Sequence, residues 1–123
     1  PFLCFETPVE FYQFDEIIKL FKTLFFFTGD GAITIANSIV FLTKGSAAAI
    51  TLAAPTDVTH DGIMIWVVTG TAQAHVITSG VDGINAKGSS GTATFTAAIG
   101  NAVLFVARNG HWYAIVKTGV TIA

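Results

Sequence analysis

Asp57, His60 and Asp61 place two carboxylates and an imidazole within five consecutive positions. Neutral imidazole and carboxylate oxygen together can hold a divalent cation. The same stretch has a plainer reading. Asp61-Gly62 is a turn leading into the apolar run that starts at Ile63, and polar residues gather at turns for conformational reasons. The plainer reading is preferred, so no metal site is expected.

Other candidates for chemistry are as thin. His75 lies in a strand of small residues and reads as a packed or interface histidine. His111 follows Asn109-Gly110 and reads as exposed beside Trp112. Cys4, the only cysteine, has no histidine near it in sequence to lower its pKa, so a nucleophilic role is not expected. No serine sits in a G-x-S-x-G elbow. The Gly-rich stretch 80–91 matches neither a phosphate-binding loop nor a dinucleotide fingerprint. Beyond residue 30 the carboxylates are too sparse to nominate a glycosidase pair. We therefore expect no catalytic residues, no metal and no cofactor, and a protein that is not an enzyme.

The elements around these residues are more informative. Charged residues make up 11% of the chain, against about 25% in an average globular protein. After Asp30 only seven remain: Lys44, Asp57, Asp61, Asp82, Lys87, Arg108 and Lys117. A body this low in charge and rich in Thr, Ala and Gly is expected to cover much of its surface with other protein. The net charge of −2 argues against nucleic acid. No apolar run reaches the roughly 18 residues that span a bilayer. No basic leader marks a signal peptide.

Composition changes sharply near residues 28–31. Eight of eleven Phe residues lie within the first 27 positions. The expected division is an amphipathic helical arm over residues 1–29 and a β-domain over residues 30–123. Thr7 caps the arm, Pro8 suits its first helical position, and Glu10 completes a capping box. Phe11, Phe14, Ile18, Phe21 and Phe25 recur at helical spacing on one face. Asp15, Glu16, Lys19 and Lys22 lie largely on the other. Two partners fit that apolar stripe: the chain's own β-domain or a neighbouring subunit. Membrane attachment fits less well, because the polar face is not strongly basic.

The remainder reads as strands. Runs at 32–36, 38–43, 48–53, 63–69, 73–78, 92–96, 102–107, 112–117 and 120–122 are rich in β-branched residues or alternate in polarity. The run 63–69 is apolar on both faces, with Ile63, Ile65 and Val67 opposite Met64, Trp66 and Val68. Such a strand is central or covered by a partner. Asn109-Gly110 marks a hairpin, since a type I′ turn needs positive φ at both central residues. Residues 80–91 read as a long exposed loop. No repeat of 20–50 residues stands out. The expected fold is mainly β, a compact antiparallel β-sandwich or barrel with an N-terminal amphipathic helix.

Several phrases of the β-segment, taken in order, carry a resemblance. They are Gly31-Ala32-Ile33-Thr34-Ile35, Phe41-Leu42-Thr43-Lys44-Gly45-Ser46-Ala47-Ala48, Thr51-Leu52-Ala53-Ala54-Pro55 and Asp61-Gly62. Thr71-Ala72-Gln73-Ala74-His75-Val76, Thr92-Ala93-Thr94-Phe95 and Asn109-Gly110-His111-Trp112-Tyr113 follow. Together they resemble small virion structural proteins of tailed bacteriophages, of the capsid decoration (cement) type. The resemblance spans about residues 31–122 and implies a compact β-domain on the capsid surface, bound across major capsid protein subunits and assembled as a homo-oligomer, a trimer. It brings no catalytic residues, nucleic acid or membrane. The five apolar arm positions are then expected contacts within or between subunits. The alternative is a tail fibre or spike module binding a host-surface glycan through the 80–91 loop, Trp112 and Tyr113.

Overall fold

A computed structural model describes residues 24–80, 83–86 and 91–123. Ten strands form two five-stranded sheets. The first sheet has the order β1 (Leu24–Phe27), β3 (Ser38–Leu42), β5 (Met64–Thr69), β8 (Ala102–Arg108) and β9 (His111–Thr118). The second runs β10 (Val120–Ile122), β7 (Thr92–Phe95), β6 (Val76–Thr78), β4 (Ala49–Thr51) and β2 (Gly31–Ala32). Among the described residues no helix occurs, and neither sheet closes on itself.

The path explains the pairing. From β1 to β6 the chain alternates between the sheets, so each new strand lies parallel to the one laid down a circuit earlier. Parallel neighbours need a long crossover connection; here a strand of the opposite sheet supplies it. Thus β1–β3, β3–β5, β2–β4 and β4–β6 are parallel. The later strands fold back, and β5–β8, β8–β9, β6–β7 and β7–β10 are antiparallel. The expected antiparallel topology is corrected to two mixed sheets, and the barrel is excluded.

Alternation sets the core. Val40 and Leu42, Ile65 and Val67, and Val103 and Phe105 point inward from the first sheet, and Ile50, Ile77, Ala93 and Phe95 from the second. Burying one large aliphatic or aromatic side chain contributes about 1.5–3 kcal/mol. These residues hold the two layers together without a disulfide. Asn109 and Gly110 have φ of 55° and 80°, which fulfils the expected hairpin turn between β8 and β9.

Two expectations change. The helical stripe does not extend through Phe25, because Leu24–Phe27 is a strand paired with β3. Four consecutive apolar residues, Leu-Phe-Phe-Phe, serve a strand with contacts on both sides as readily as a helix, and β3 supplies the backbone partner. Phe11, Phe14, Ile18 and Phe21 lie outside the described residues. The 80–91 stretch is not simply an exposed loop. Ile84 is fully buried and bridges to Trp112, while the Trp112 N–H donates to Gly83 O and the Asn85 N–H to Trp112 O. Burial of Ile84, together with the Ala114 N–H donated to Asn85 Oδ1 at 2.9 Å, anchors its middle against β9.

Candidate functional site

His60 and Asp61, two of the three residues first considered for metal chemistry, serve the backbone. His60 Nδ1 accepts the Thr56 N–H at 2.7 Å, closing the 56–60 turn. Asp61 Oδ1 accepts the Asn109 N–H at 2.9 Å, tying this loop to the β8–β9 hairpin. Among the described residues, no three His, Cys, Asp or Glu side chains converge.

His75 is buried just before β6, as expected of a packed histidine. Its Nδ1 accepts the Ala48 N–H at 3.0 Å, so the ring proton resides on Nε2. That nitrogen lies 3.0 Å from Thr71 Oγ1, whose own hydroxyl donates to Lys44 O at 2.7 Å. Burial, then the nearby Lys44 charge, lowers the His75 pKa below its usual 6.5. The imidazole is a neutral structural tie with both nitrogens engaged.

The broad outer faces of the sandwich are more distinctive. Register places Leu24, Ile39, Trp66, Leu104 and Val116 in one row across all five strands of the first sheet. Phe26, Phe41, Val68, Ala102 and Thr118 form the next row. The Phe26 and Phe41 rings pack with centroids 5.8 Å apart. On the other side of the first row, Met64, Val106 and Tyr113 align. Leu24, Phe26, Met64 and Val116 are 45%, 61%, 45% and 46% exposed. Arg108, at the corner beside the hairpin turn, is the charged side chain of this face among the described residues. Contiguous exposed apolar faces are characteristic of surfaces that proteins use for contact.

The outer face of the second sheet is of another kind. Thr51, Thr78 and Thr92 align across three strands, and Thr94 pairs with Thr121. Ala32 and Ala49 complete a surface of methyl and hydroxyl groups without charge among the described residues. Its uncharged surface suits protein contact, since no ion must be desolvated.

A shallow cleft of about 450 Å³ lies at the hairpin end of the first face, lined by Val106, Arg108, Asn109, Tyr113 and Ile115. Ile115 is the extra residue of a β-bulge opposite Leu104 and Phe105, and it is 61% exposed. Trp112 does not join Tyr113 there. It is fully buried, its Nε1–H donates to Ala53 O at 2.8 Å, and it meets Phe105 edge-on. The pair of rings expected for sugar stacking is therefore reduced to Tyr113.

Of the five apolar arm positions, Phe25 alone is described, and it lies in β1 at 39% exposure. Sequence reading did not name Leu24, Phe26, Ile39, Phe41 or Trp66 as surface contacts. The available signal was the two-sided apolarity of the 63–69 run, since Trp66 and Val68 lie on the side away from the core. No helix among the described residues is long and apolar enough to cross a membrane. No protein-family model matches the chain, and no curated protein matches it in sequence.

Proposed function

We propose that this protein is a structural subunit of a bacteriophage virion that decorates or cements the capsid. The observation that carries the reading is the charge distribution over the sandwich. Its two broad faces hold, among the described residues, one charged side chain, Arg108, and that lies at a corner. Asp30, Lys44, Asp57 and Asp61 sit in turns, and Lys117 stands opposite Val103 on the open edge of β9. Freely diffusing proteins normally distribute charge over such faces; an assembly subunit gains close packing by excluding it.

On this reading the protein binds across major capsid protein subunits at the virion surface as a homo-oligomer, a trimer on a symmetry axis. Its action is mechanical. Each copy adds buried area across a joint, and simultaneous contacts raise the effective concentration of every other contact. The Thr- and Ala-rich face of the second sheet is the surface for the shell. The ordered phrases that resemble decoration proteins support the same class. Burial of Trp112 weakens the alternative of a glycan-binding tail module.

The test is made on purified particles. Imaging of intact virions should place the chain on the head, and mild heating that strips it should leave heads that rupture at lower temperature. Absence from purified particles, or loss of the chain with head stability unchanged, overturns the proposal.

A further inference from the structure

The apolar outer face of the first sheet needs an occupant, and the chain itself supplies one of matching size and character. We propose that residues 7–23 of the same chain lie as a helix across this face, with Phe11, Phe14, Ile18 and Phe21 turned onto the sheet and Glu10 brought to Arg108. The inference stands whether or not the protein belongs to a capsid.

Three observations carry it. The first is where the preceding chain ends. Residue 23 joins β1, the edge strand of this face, and Leu24 is itself an outer-face residue with 45% exposure. Lys22 and Thr23 are the only residues between Phe21 and that strand. Such a short link holds the stripe beside its own sheet at high effective concentration, ahead of any second copy.

The second is length. Arg108 lies three strands away from β1, about 14 Å at the usual spacing, and about 13 Å farther toward the starting end of β1 than the Leu24 row. The diagonal from Leu24 to Arg108 is thus about 19 Å. The fourteen residues from Glu10 to Thr23 make thirteen helical steps, which rise about 20 Å. Register brings the chain exit and Arg108 to the same end of the sheet, because β8 runs antiparallel to β5.

The third is chemistry along that diagonal. Leu24, Ile39, Met64 and Val106 lie beneath it, with Trp66 and Tyr113 to one side. They offer apolar contact to the Phe- and Ile-bearing stripe and no ion to bury. At its far end Arg108, the one cation of the face among the described residues, meets Glu10, near the beginning of the helix. The polar face of the arm, with Asp15, Glu16 and Lys19, is left to solvent.

The experiment uses the full chain with Cys4→Ser and two new cysteines, Ile18→Cys and Met64→Cys, oxidised and analysed by non-reducing electrophoresis and mass. The control pairs Ile18→Cys with Thr94→Cys on the opposite face. We expect an intrachain disulfide with Met64→Cys in the majority of chains and none with Thr94→Cys. In parallel, Phe14→Asp with Ile18→Asp should raise acrylamide quenching of Trp66 roughly twofold, as the ring loses its cover. A Trp66→Phe chain isolates the signal of Trp112. A disulfide between chains, equal yields for the two pairs, no disulfide at all, or unchanged Trp66 quenching overturns the proposal. The cysteine pair places no charge in the stripe, so it decides the matter even where the double Asp variant fails to fold.

Discussion

Asp30 and His75 take the amide protons of consecutive residues: Asp30 Oδ1 accepts the Ala49 N–H at 2.9 Å, and His75 Nδ1 accepts the Ala48 N–H at 3.0 Å. The two acceptors come from different circuits of the chain. Asp30 follows β1, Ala48 and Ala49 stand at the start of β4, and His75 precedes β6. Lys44 closes the group, its Nζ on Asp30 at 2.9 Å and its carbonyl receiving Thr71 Oγ1 at 2.7 Å. One polar cluster thus fixes three successive circuits at the corner where the chain passes between sheets. It also satisfies two backbone donors that β-pairing does not reach.

His75 should make stability depend on pH. Its folded pKa is lowered from 6.5, first by burial and then by the Lys44 charge. The unfolded chain therefore binds the proton more readily, and folding is favoured where the ring is neutral in both states. Its contribution is fully present above about pH 6.5 and lost as pH falls through the lower folded value. Protonating Nδ1 would also set an N–H against the Ala48 N–H. Urea midpoints measured between pH 8 and pH 4 should fall on the acid side of about 6.5. Replacing His75 with Ala should cost about 2–4 kcal/mol near neutrality, from an unpaired amide and a cavity, and should remove that segment of the pH profile. A pH response unchanged in the variant excludes His75 as its source.

Asp30 should act in the opposite part of the acid range. Its pKa is lowered from 3.8, chiefly by the Ala49 N–H and then by the Lys44 ammonium. A carboxylate with a lowered folded pKa stabilises the fold above its unfolded value, and the contribution disappears as pH falls through the folded one. Asp30→Asn should keep the shape but weaken both bonds. The expected result is a small drop in Tm at pH 7 that is gone at a pH below the lowered folded value, where both chains are neutral at this position. An equal difference at both pH values assigns the effect to shape alone.

Trp112 ties the second strand of the hairpin to the opposite layer through its Nε1–H on Ala53 O. Trp112→Phe retains a ring but leaves that carbonyl without this donor and opens space beside Phe105. The expected cost is about 1–3 kcal/mol, read from urea unfolding. Ala53 follows β4, so hydrogen exchange at the nearby amide of Leu52 should quicken in the variant. Unchanged exchange there confines the effect to β9.

The strands of the β-body were legible because their alternation is local. Ile65 and Val67 against Trp66 and Val68, or His75 and Ile77 against Val76 and Thr78, divide onto two faces before any partner is known. Pairing was not legible, because parallel and antiparallel strands alternate alike. A repeat could have disclosed the winding, but the circuits differ in length. Ile39 lies fifteen residues after its partner Leu24, while Ile65 lies twenty-seven after Ser38. The 52–63 loop, with His60 and Asp61, accounts for much of that difference. It is also the stretch whose polar residues first suggested a metal. The apolar outer face was only partly legible, since Leu24 and Phe26 continue a Phe-rich run that reads as helix until β3 is placed beside them.

Gly119 permits the last exchange of sheets. Thr118 ends β9 in the first sheet and Val120 begins β10 in the second, so a single residue makes the crossing. Its φ is +66°, and a Cβ added there would run into the side chain of Asn101. That side chain cannot simply swing away, because Asn101 Nδ2 donates to Thr96 O at 2.8 Å while the Thr96 N–H donates to Gly119 O at 2.8 Å. Gly119→Ala therefore meets left-handed strain and overpacking together, and the expected loss is about 2–4 kcal/mol. Asn101→Ala in the same chain should restore part of it by making room, while the strain from φ remains. If the double variant is no more stable than Gly119→Ala, Asn101 is not the obstacle. The backbone conformation alone then explains why this position is glycine.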